Sequence, residues 1–219
     1  MTRYPSPRRL HGYFRSTAAW RVRIALELKG LAVEHAFRHL RRGEQRAPEY
    51  LRLNPQGLVP ALELDDGATV LTQSLAIIEW LEEVYPTPPL LPGDAVQRAR
   101  IRAFALAIAC DIHPLQNLGV LERLRQLGLP EEAVTGWARD VIARGLAACE
   151  CLAAEAKGQP FLFGEAPTMA EICLVPQLAN ARRFGVDLTP LPRLLAVEAA
   201  CLALPAFAAA APERQPDAE

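Results

Sequence analysis

The sequence of 219 residues is long enough for one large domain or two modest ones, and with 51% hydrophobic and 22% charged residues it is typical of a globular protein. Its 24 basic and 25 acidic residues give a net charge of −1, which argues against a nucleic-acid or anionic-membrane surface, since either needs a sustained positive field. No run of about 18 uninterrupted apolar residues occurs, and no apolar region follows the basic start at 1–9, so we expect a cytoplasmic protein without a transmembrane helix.

The first part of the chain alternates strand and helix signals up to about residue 85. Ser16 offers an N-cap oxygen to a first helix, Gly30 ends that helix, and Ser74 is expected to cap the last helix of this part. We predict strands at 10–14, 33–40, 58–64 and 68–71, and helices at 16–29, 48–53 and 75–84. The order β-α-β-α-β-β-α is the thioredoxin-like plan.

The second part of the chain gives helices only, which makes the fold class α/β plus all-α. We predict helices at 96–124, 131–157, 168–183 and 192–203. The first of them is expected to bend at Pro114, and Thr168 and Glu171 form an S/T-x-x-E capping box. The polar end of the chain, 212–219, is expected to fray.

A proline-rich segment separates the two parts. We read 87–93 as a linker between a thioredoxin-like domain at 1–86 and an all-helical domain at 94–219. A cleft between two such domains is the natural place for a ligand.

Several chemistries lack a motif in this sequence. Neither the dinucleotide-binding G-x-G-x-x-G nor the P-loop occurs, and neither G-x-S-x-G nor H-E-x-x-H is present. The five cysteines form no C-x-x-C pair, so we expect neither a metal site nor disulfides and interpret them as small buried hydrophobic residues.

The start of the first helix is the candidate site that the residues themselves indicate. Ser16 and Thr17 can be simple caps, but free N–H groups, the positive end of the helix dipole and hydroxyl donors also make an anion site. A second such start follows at Gln73-Ser74. Pro60 inside a predicted strand is explained if the bond before it is cis and the backbone of Val59 faces a ligand. Together these features suit a small anionic peptide such as glutathione.

The residues that carry these features resemble zeta-class glutathione transferases, the maleylacetoacetate isomerase family. The resemblance spans nearly the whole chain, and its motifs are specific for the class. They are Tyr13-Phe14-Arg15-Ser16-Thr17-Ala18-Ala19-Trp20-Arg21-Val22-Arg23-Ile24-Ala25-Leu26, Asn54-Pro55-Gln56-Gly57-Leu58-Val59-Pro60, Gln73-Ser74-Leu75-Ala76-Ile77-Ile78-Glu79-Trp80-Leu81-Glu82, His113-Pro114-Leu115-Gln116-Asn117-Leu118, Leu174-Val175-Pro176-Gln177-Leu178-Ala179-Asn180-Ala181, and near the end Arg183-Phe184, Val186-Asp187-Leu188-Thr189-Pro190 and Arg214-Gln215-Pro216-Asp217.

The resemblance implies a homodimeric, glutathione-dependent enzyme that converts maleylacetoacetate to fumarylacetoacetate in aromatic amino-acid or aromatic-compound breakdown. It implies catalytic roles for Ser16, Thr17 and Arg15, and substrate binding by Arg15 and Arg183. The residues that it implies for glutathione binding are Ser16, Thr17, Gln45, Val59, Gln73, Ser74, His113 and Asn117. Many members read Ser-Ser-Cys where this chain has Ser-Thr-Ala at 16–18, so no protein thiol is expected in the site.

The free energy that this chemistry requires can be compared with what the residues supply. Lowering a thiol pKa of about 8.5 by about 2 units takes about 2.7 kcal/mol. A charge-assisted hydrogen bond from Ser16 supplies about 1.5–3 kcal/mol and the helix start about 0.3–1 kcal/mol, so a general base is unnecessary.

Three alternatives remain open at the level of sequence. Maleylpyruvate isomerisation uses the same residues, and so does a transferase acting on α-halo acids, for which Arg15 and Arg183 would serve equally. The third is a non-catalytic glutathione-binding module. Retention of Ser16, of Gln73-Ser74 and of both Arg15 and Arg183 weighs against it.

Overall fold

The computed structural model describes residues 4–154 and 159–219, which form two compact units. One unit comprises Met1–Pro89 together with Leu204–Glu219, and the other is Leu90–Ala203. The sequence-based division put the whole of 94–219 into the helical domain, whereas by contacts its last segment groups with the first unit.

The first unit is built on a four-stranded mixed sheet. Its strands are β1 (Pro7–Gly12), β2 (Glu34–Phe37), β3 (Ala61–Leu64) and β4 (Val70–Thr72), and its helices are α1 (Thr17–Lys29), α2 (Pro48–Leu53), α3 (Ser74–Val84) and α9 (Pro205–Ala210). The strand order is β2-β1-β3-β4, with β1 parallel to β2 and antiparallel to β3. The predicted thioredoxin-like order of elements is confirmed. Each predicted strand differs from the observed strand by two or more residues at one end at least, because hydrogen bonding to the neighbouring strand determines where a strand begins and ends.

Helix α1 begins and ends at the residues that the sequence indicates. Ser16 is its N-cap, and its hydroxyl accepts a hydrogen bond from the N–H of Ala19. Gly30 ends the helix in the left-handed conformation with φ of 65°, where a side chain would be strained. Because α1 packs against both α3 and α9, most of its residues from Thr17 to Leu26 are buried.

Helices and turns, with no strand, make up the described residues of the second unit. It contains α4 (Ala95–Leu106), α5 (Leu118–Gln126), α6 (Glu131–Ala153), α7 (Met169–Arg183) and α8 (Pro192–Leu202). The predicted capping box is confirmed: the side chain of Glu171 accepts hydrogen bonds from the N–H and the hydroxyl of Thr168, both over 2.7 Å. The predicted end of the second helix at 157 lies outside the described residues.

The predicted helix at 96–124 is interrupted before Pro114. A π-helical segment, Ala107–Ile112, and a 3₁₀ turn, Pro114–Gln116, separate α4 from α5. The π segment packs against α6, where a Cβ at Gly145 would lie only 2.3 Å from Cγ1 of Ile112. Glycine at this position therefore lets the two elements approach closely. The interruption matters because π turns often occur at functional sites.

One helical run, Ala95–Gln126, is long and apolar enough to cross a membrane by length and composition, with a mean hydropathy of 1.3 in its best window. Core helices of soluble proteins pass the same test. Here 33% of that window is buried, and α4 packs against α7 within the second unit.

The expectation that 212–219 frays is wrong. The Asp217 carboxylate accepts a hydrogen bond from the N–H of Phe14 over 2.9 Å, and Glu219 bonds to Nε2 of His39 over 2.7 Å. Gln215, which is buried, donates to the carbonyls of Ala209 and Ala211. The polar side chains that suggested a solvated, frayed end instead form hydrogen bonds with specific partners in the first unit.

Candidate functional site

The turn before α1 presents a hydroxyl at a helix start. The N–H of Ser16 donates to the carbonyl of Tyr13 over 3.0 Å, and its Oγ accepts from Ala19 over 3.2 Å. This leaves the hydroxyl proton of Ser16 available to an anion. Ser16 is half-buried whereas Thr17 is only 5% exposed, so Ser16 is the more accessible of the two hydroxyls. Arg15, also half-buried, lies in the same turn.

The start of α3 differs from the sequence prediction. Ser74 does not cap this helix: it is the first helical residue, and Gln73 occupies the N-cap position without a side-chain cap. Gln73 has φ of 67°, the one positive φ among the non-glycine residues of the described chain. Such a backbone is unfavourable for a residue with a side chain, and strain of this kind clusters at functional sites.

A buried positive charge lies behind this helix start. Arg21, which is 1% exposed, donates from Nη1 to Oγ of Ser74 over 3.4 Å. Because the acceptor side of Ser74 is used in this way, its hydroxyl proton can be donated outwards. The Arg21 charge and the α3 dipole both favour an anion at Gln73 and Ser74. Sequence reasoning did not assign a role to Arg21, although it lies within the first motif.

The segment before Pro60 presents a backbone edge. The Val59–Pro60 bond is cis, as predicted. The carbonyl of Leu58 accepts from the Tyr50 hydroxyl over 2.6 Å and from Asn54 Nδ2 over 2.7 Å. Within the described chain, by contrast, no hydrogen bond involves the N–H or the carbonyl of Val59. Burial raises the pKa of Tyr50 to about 12, so this hydroxyl stays a donor at neutral pH.

Gln45 brings an unpaired acceptor to the first unit. It is 8% exposed, and its Oε1 atom is buried with no hydrogen-bond partner among the described residues. Gly57, with φ of 61°, lies against the same turn: a Cβ there would be 3.2 Å from the Gln45 carbonyl oxygen. A buried amide oxygen without a donor is an unfavourable arrangement that a ligand N–H can relieve.

Three expected site residues belong to the second unit. His113 follows the π segment and is half-buried, and Asn117 caps α5 by accepting from the N–H of Leu118 over 2.8 Å. Arg183, at the end of α7, is exposed. Its neighbour Arg182 forms a two-point ion pair with Glu198 of α8.

Buried polar side chains fix this part of the second unit. Nδ2 of Asn180 on α7 donates to Oε1 of Gln116 in the 3₁₀ turn, and both residues are at most 4% exposed. The turn between His113 and Asn117 is thereby attached to α7. Sequence reasoning placed both residues in motifs but did not predict their contact.

None of the five cysteines, all of which lie in the described part of the chain, forms a disulfide, and the interpretation as buried residues applies to only three of them. Cys149, Cys173 and Cys201 are buried, whereas Cys110 and Cys151 are exposed. Burial raises the pKa of Cys149 to about 12, which leaves this thiol unreactive at neutral pH. Across 4–154 and 159–219, no group of three or more His, Cys, Asp or Glu side chains could hold a metal ion.

Comparison with known proteins identifies the family. The model of the glutathione S-transferase N-terminal domain matches residues 15–84, and that of the glutathione S-transferase C-terminal domain matches residues 118–200. The chain therefore belongs to the glutathione S-transferase family, and its relatives place it in the zeta class with the maleylacetoacetate isomerases.

Three proteins illustrate this relationship. The maleylacetoacetate isomerase of Pseudomonas aeruginosa is 50% identical over 95% of this chain and 98% of its own length. A holo structure of a bacterial zeta-class maleylpyruvate isomerase superimposes with a TM-score of 0.92, at 50% identity, over 96% of this chain and 100% of the other. A maleylacetoacetate isomerase from Anaeromyxobacter dehalogenans, with GSH bound in its active site, gives a TM-score of 0.89 at 49% identity, over 99% of this chain and 100% of the other.

Proposed function

We propose that this chain is a glutathione-dependent cis–trans isomerase that converts maleylacetoacetate to fumarylacetoacetate. The observation that carries the proposal is the helix start at Ser16, where a half-buried hydroxyl with its proton available stands at the positive end of α1. Relatives at 50% and 49% identity with this activity in their names support the same conclusion.

Glutathione fits the polar groups of the first unit. It presents a γ-glutamyl carboxylate, a central peptide unit and a thiol. Gln73 and Ser74, backed by the Arg21 charge, suit the carboxylate. The N–H and carbonyl of Val59 suit the peptide unit, and the buried Oε1 of Gln45 suits a ligand N–H. The backbone groups of Val59 and the Oε1 atom of Gln45 have no hydrogen-bond partner among the described residues, which is the strongest internal support for this cofactor.

When bound, glutathione supplies a thiolate that adds reversibly to the substrate double bond, so that the bond can rotate. Ser16 donates a hydrogen bond from its hydroxyl to the sulfur and, with the N-terminus of α1, keeps the sulfur ionised. The first turn of α1 contains no acidic residue that would weaken this effect. Thr17, which is buried, supports the turn and has the lesser part in contacting the sulfur.

The substrate is a diacid, and arginine is the residue best suited to bind carboxylates in a two-point geometry. We assign this role to Arg15 and Arg183, with Arg15 also stabilising the negative charge that develops on the substrate oxygen. His113 and Asn117 are proposed to contact glutathione. Arg183 is exposed at the end of α7, which is consistent with binding a ligand carboxylate.

Maleylpyruvate is the second candidate substrate. A maleylpyruvate isomerase of the zeta class is as similar to this chain, at 50% identity, as the maleylacetoacetate isomerase of Pseudomonas aeruginosa. Both substrates carry a cis double bond conjugated to a carbonyl, so the same residues serve either one.

We also propose that the enzyme is a cytoplasmic homodimer acting in aromatic-compound breakdown.

The test is to incubate the protein with each cis-diketo acid, with and without glutathione, and to follow the trans product. We expect isomerisation that needs glutathione in catalytic amounts and consumes none of it. A halo acid assayed in parallel for halide release separates isomerase from dehalogenating transferase. Binding of glutathione without turnover of either acid would contradict the proposed activity.

A further inference from the structure

The backbone that leads into Ser16 is held by an arginine of α1. Arg23 donates from Nη2 to the carbonyl of Phe14 over 3.0 Å and from Nη1 to the carbonyl of Tyr13 over 3.5 Å. Its Nε donates to the carbonyl of Ala210 in α9 over 3.0 Å. Arg23 is only 5% exposed, so these bonds lie away from water and join the turn to α9.

The end of the chain holds the same backbone from its other side. Asp217 accepts from the N–H of Phe14 over 2.9 Å, across a separation of 203 residues. Gln215, in the same Arg-Gln-Pro-Asp motif, bonds back to the end of α9 and so fixes the approach of Asp217. Both polar backbone groups of Phe14 are therefore bound by charged side chains, one of them 9 residues away in α1 and the other 203 residues away.

These contacts fix the turn that carries the reactive hydroxyl. The carbonyl of Tyr13 accepts from Arg23 and also from the N–H of Ser16, over 3.0 Å. A shift of Tyr13 or Phe14 therefore moves the N-cap of α1 and the side chain of Arg15. A substitution far from the reacting atoms that displaces a catalytic group by about 1 Å can lower the rate about 100-fold.

The charges of Arg23 and Asp217 also attract each other across this turn. Burial lowers the pKa of Arg23 to about 10, and the negative charge of Asp217 opposes that effect. Arg23 thus stays protonated at neutral pH, and its donors remain directed at the two carbonyls.

We infer that Arg23 and Asp217 are positioning residues for Ser16, and that the Arg-Gln-Pro-Asp segment is thereby part of the machinery that ionises glutathione. The inference rests on the proposed function, because it assigns these residues to the same reaction. Neither residue needs to touch glutathione. Asp217 is the better residue to test because it is half-buried and makes a single hydrogen bond to Phe14.

The test compares Asp217→Ala with the full-length wild type by following the ultraviolet absorbance of the thiolate of bound glutathione against pH. Loss of the Phe14 contact is expected to raise the thiol pKa by about one unit, which corresponds to about tenfold less thiolate below the pKa. The kcat should fall by a similar factor. Affinity for S-methylglutathione, which has no ionisable thiol, should change less than about threefold, because every peptide-binding group stays in place.

Two further variants make the result specific. Glu213→Ala removes a negative charge from an exposed position just before the Arg-Gln-Pro-Asp segment and should leave thiol pKa and kcat unchanged. Asp217→Ser, whose side chain is too short to reach Phe14, should reproduce the Ala variant and replaces it if that variant fails to fold.

In the wild type, we expect the Phe14 amide to be protected from hydrogen exchange. Exchange as fast as in an exposed loop would contradict the inference without any variant.

The outcomes separate this inference from the proposed function. A wild type that lowers the glutathione thiol pKa, with Asp217→Ala doing so equally, overturns the inference alone. Parallel losses of S-methylglutathione and glutathione affinity in Asp217→Ala also overturn it, since they indicate general damage to the fold. A wild type that binds neither ligand contradicts the proposed function itself.

Discussion

The Oγ atom of Ser16 accepts a hydrogen bond from the N–H of Ala19 over 3.2 Å, so one side chain both caps α1 and has its proton available for an anion. Ser16→Ala removes both functions. We expect the thiol pKa of bound glutathione to rise by about 1–2 units, from the loss of a charge-assisted hydrogen bond of about 1.5–3 kcal/mol. We also expect the free energy of unfolding to fall by about 1 kcal/mol.

Thr168→Ala is the matched control, because it removes a hydroxyl cap from α7 in the other unit. It should lower stability by at least as much, since it also removes a hydrogen bond to the buried carboxylate of Glu171, and it should leave the thiol pKa unchanged. Thr17→Ala should have the smaller effect on the thiol, since Thr17 is buried. If Ser16→Ala titrates like the wild type, another group ionises the sulfur.

Gln73 offers a test of whether strain is maintained for function. Gln73→Gly is expected to keep or raise the free energy of unfolding, by up to about 1 kcal/mol, because glycine adopts φ of 67° without strain. The affinity for glutathione should fall about tenfold through loss of the side chain. Urea unfolding and calorimetry measure the two quantities.

The control for this prediction is Gln56→Ala, which removes the hydrogen bond that Gln73 donates to Gln56 over 2.8 Å but keeps the backbone strain. Its stability should not rise. A Gln73→Gly protein that is less stable and binds glutathione normally would show that the unusual backbone serves the fold instead.

Arg183 and Arg182 are adjacent and make a matched pair. Arg183→Ala should raise the KM for the diacid by about 10–100-fold, the equivalent of a lost two-point hydrogen bond to a carboxylate, with kcat little changed. Arg182→Ala should leave KM unchanged and lower stability, since it leaves the carboxylate of Glu198, 6% exposed, without its ion-pair partner. Equal effects of the two substitutions on KM would remove the assignment of Arg183.

The stability of the protein should fall as the pH is lowered from about 7 to 5, and His11 is one cause. Nε2 of His11 lies 2.5 Å from Oε1 of Glu63, while its buried Nδ1 has no acceptor among the described residues. Burial lowers the pKa of His11, so protonation is easier in the unfolded chain, where the pKa is about 6.5.

His11→Gln can preserve the hydrogen bond to Glu63 and removes the titrating group. The free energy of unfolding of this variant, measured by urea at several pH values, should depend less steeply on pH than that of the wild type. An identical slope would mean that other groups control the acid response.

The sequence predicted those features of the fold that depend on neighbouring residues. The Ser16 and Thr168 caps and the left-handed Gly30 are set within one helical turn, and each lies where it was expected. Ser74 was assigned wrongly because the positive φ of Gln73 starts α3 one residue earlier. A local pattern of hydroxyl residues cannot indicate that conformation.

Long-range contacts explain the other differences. Polar composition at 212–219 is typical of a frayed end, yet Asp217 and Glu219 bind groups 203 and 180 residues away. The π segment before His113 depends on how closely Gly145 lets it approach α6. Of the candidate site, the sequence indicated the residues that present donors, whereas the support from Arg21, Arg23 and Asp217 required coordinates.

The most direct measurement is the pH titration of glutathione bound to the wild-type protein, followed by thiolate absorbance. The account predicts saturable binding and a thiol pKa about 2 units below the usual value of about 8.5. Absence of binding, or a bound thiol that titrates like free glutathione, would contradict it.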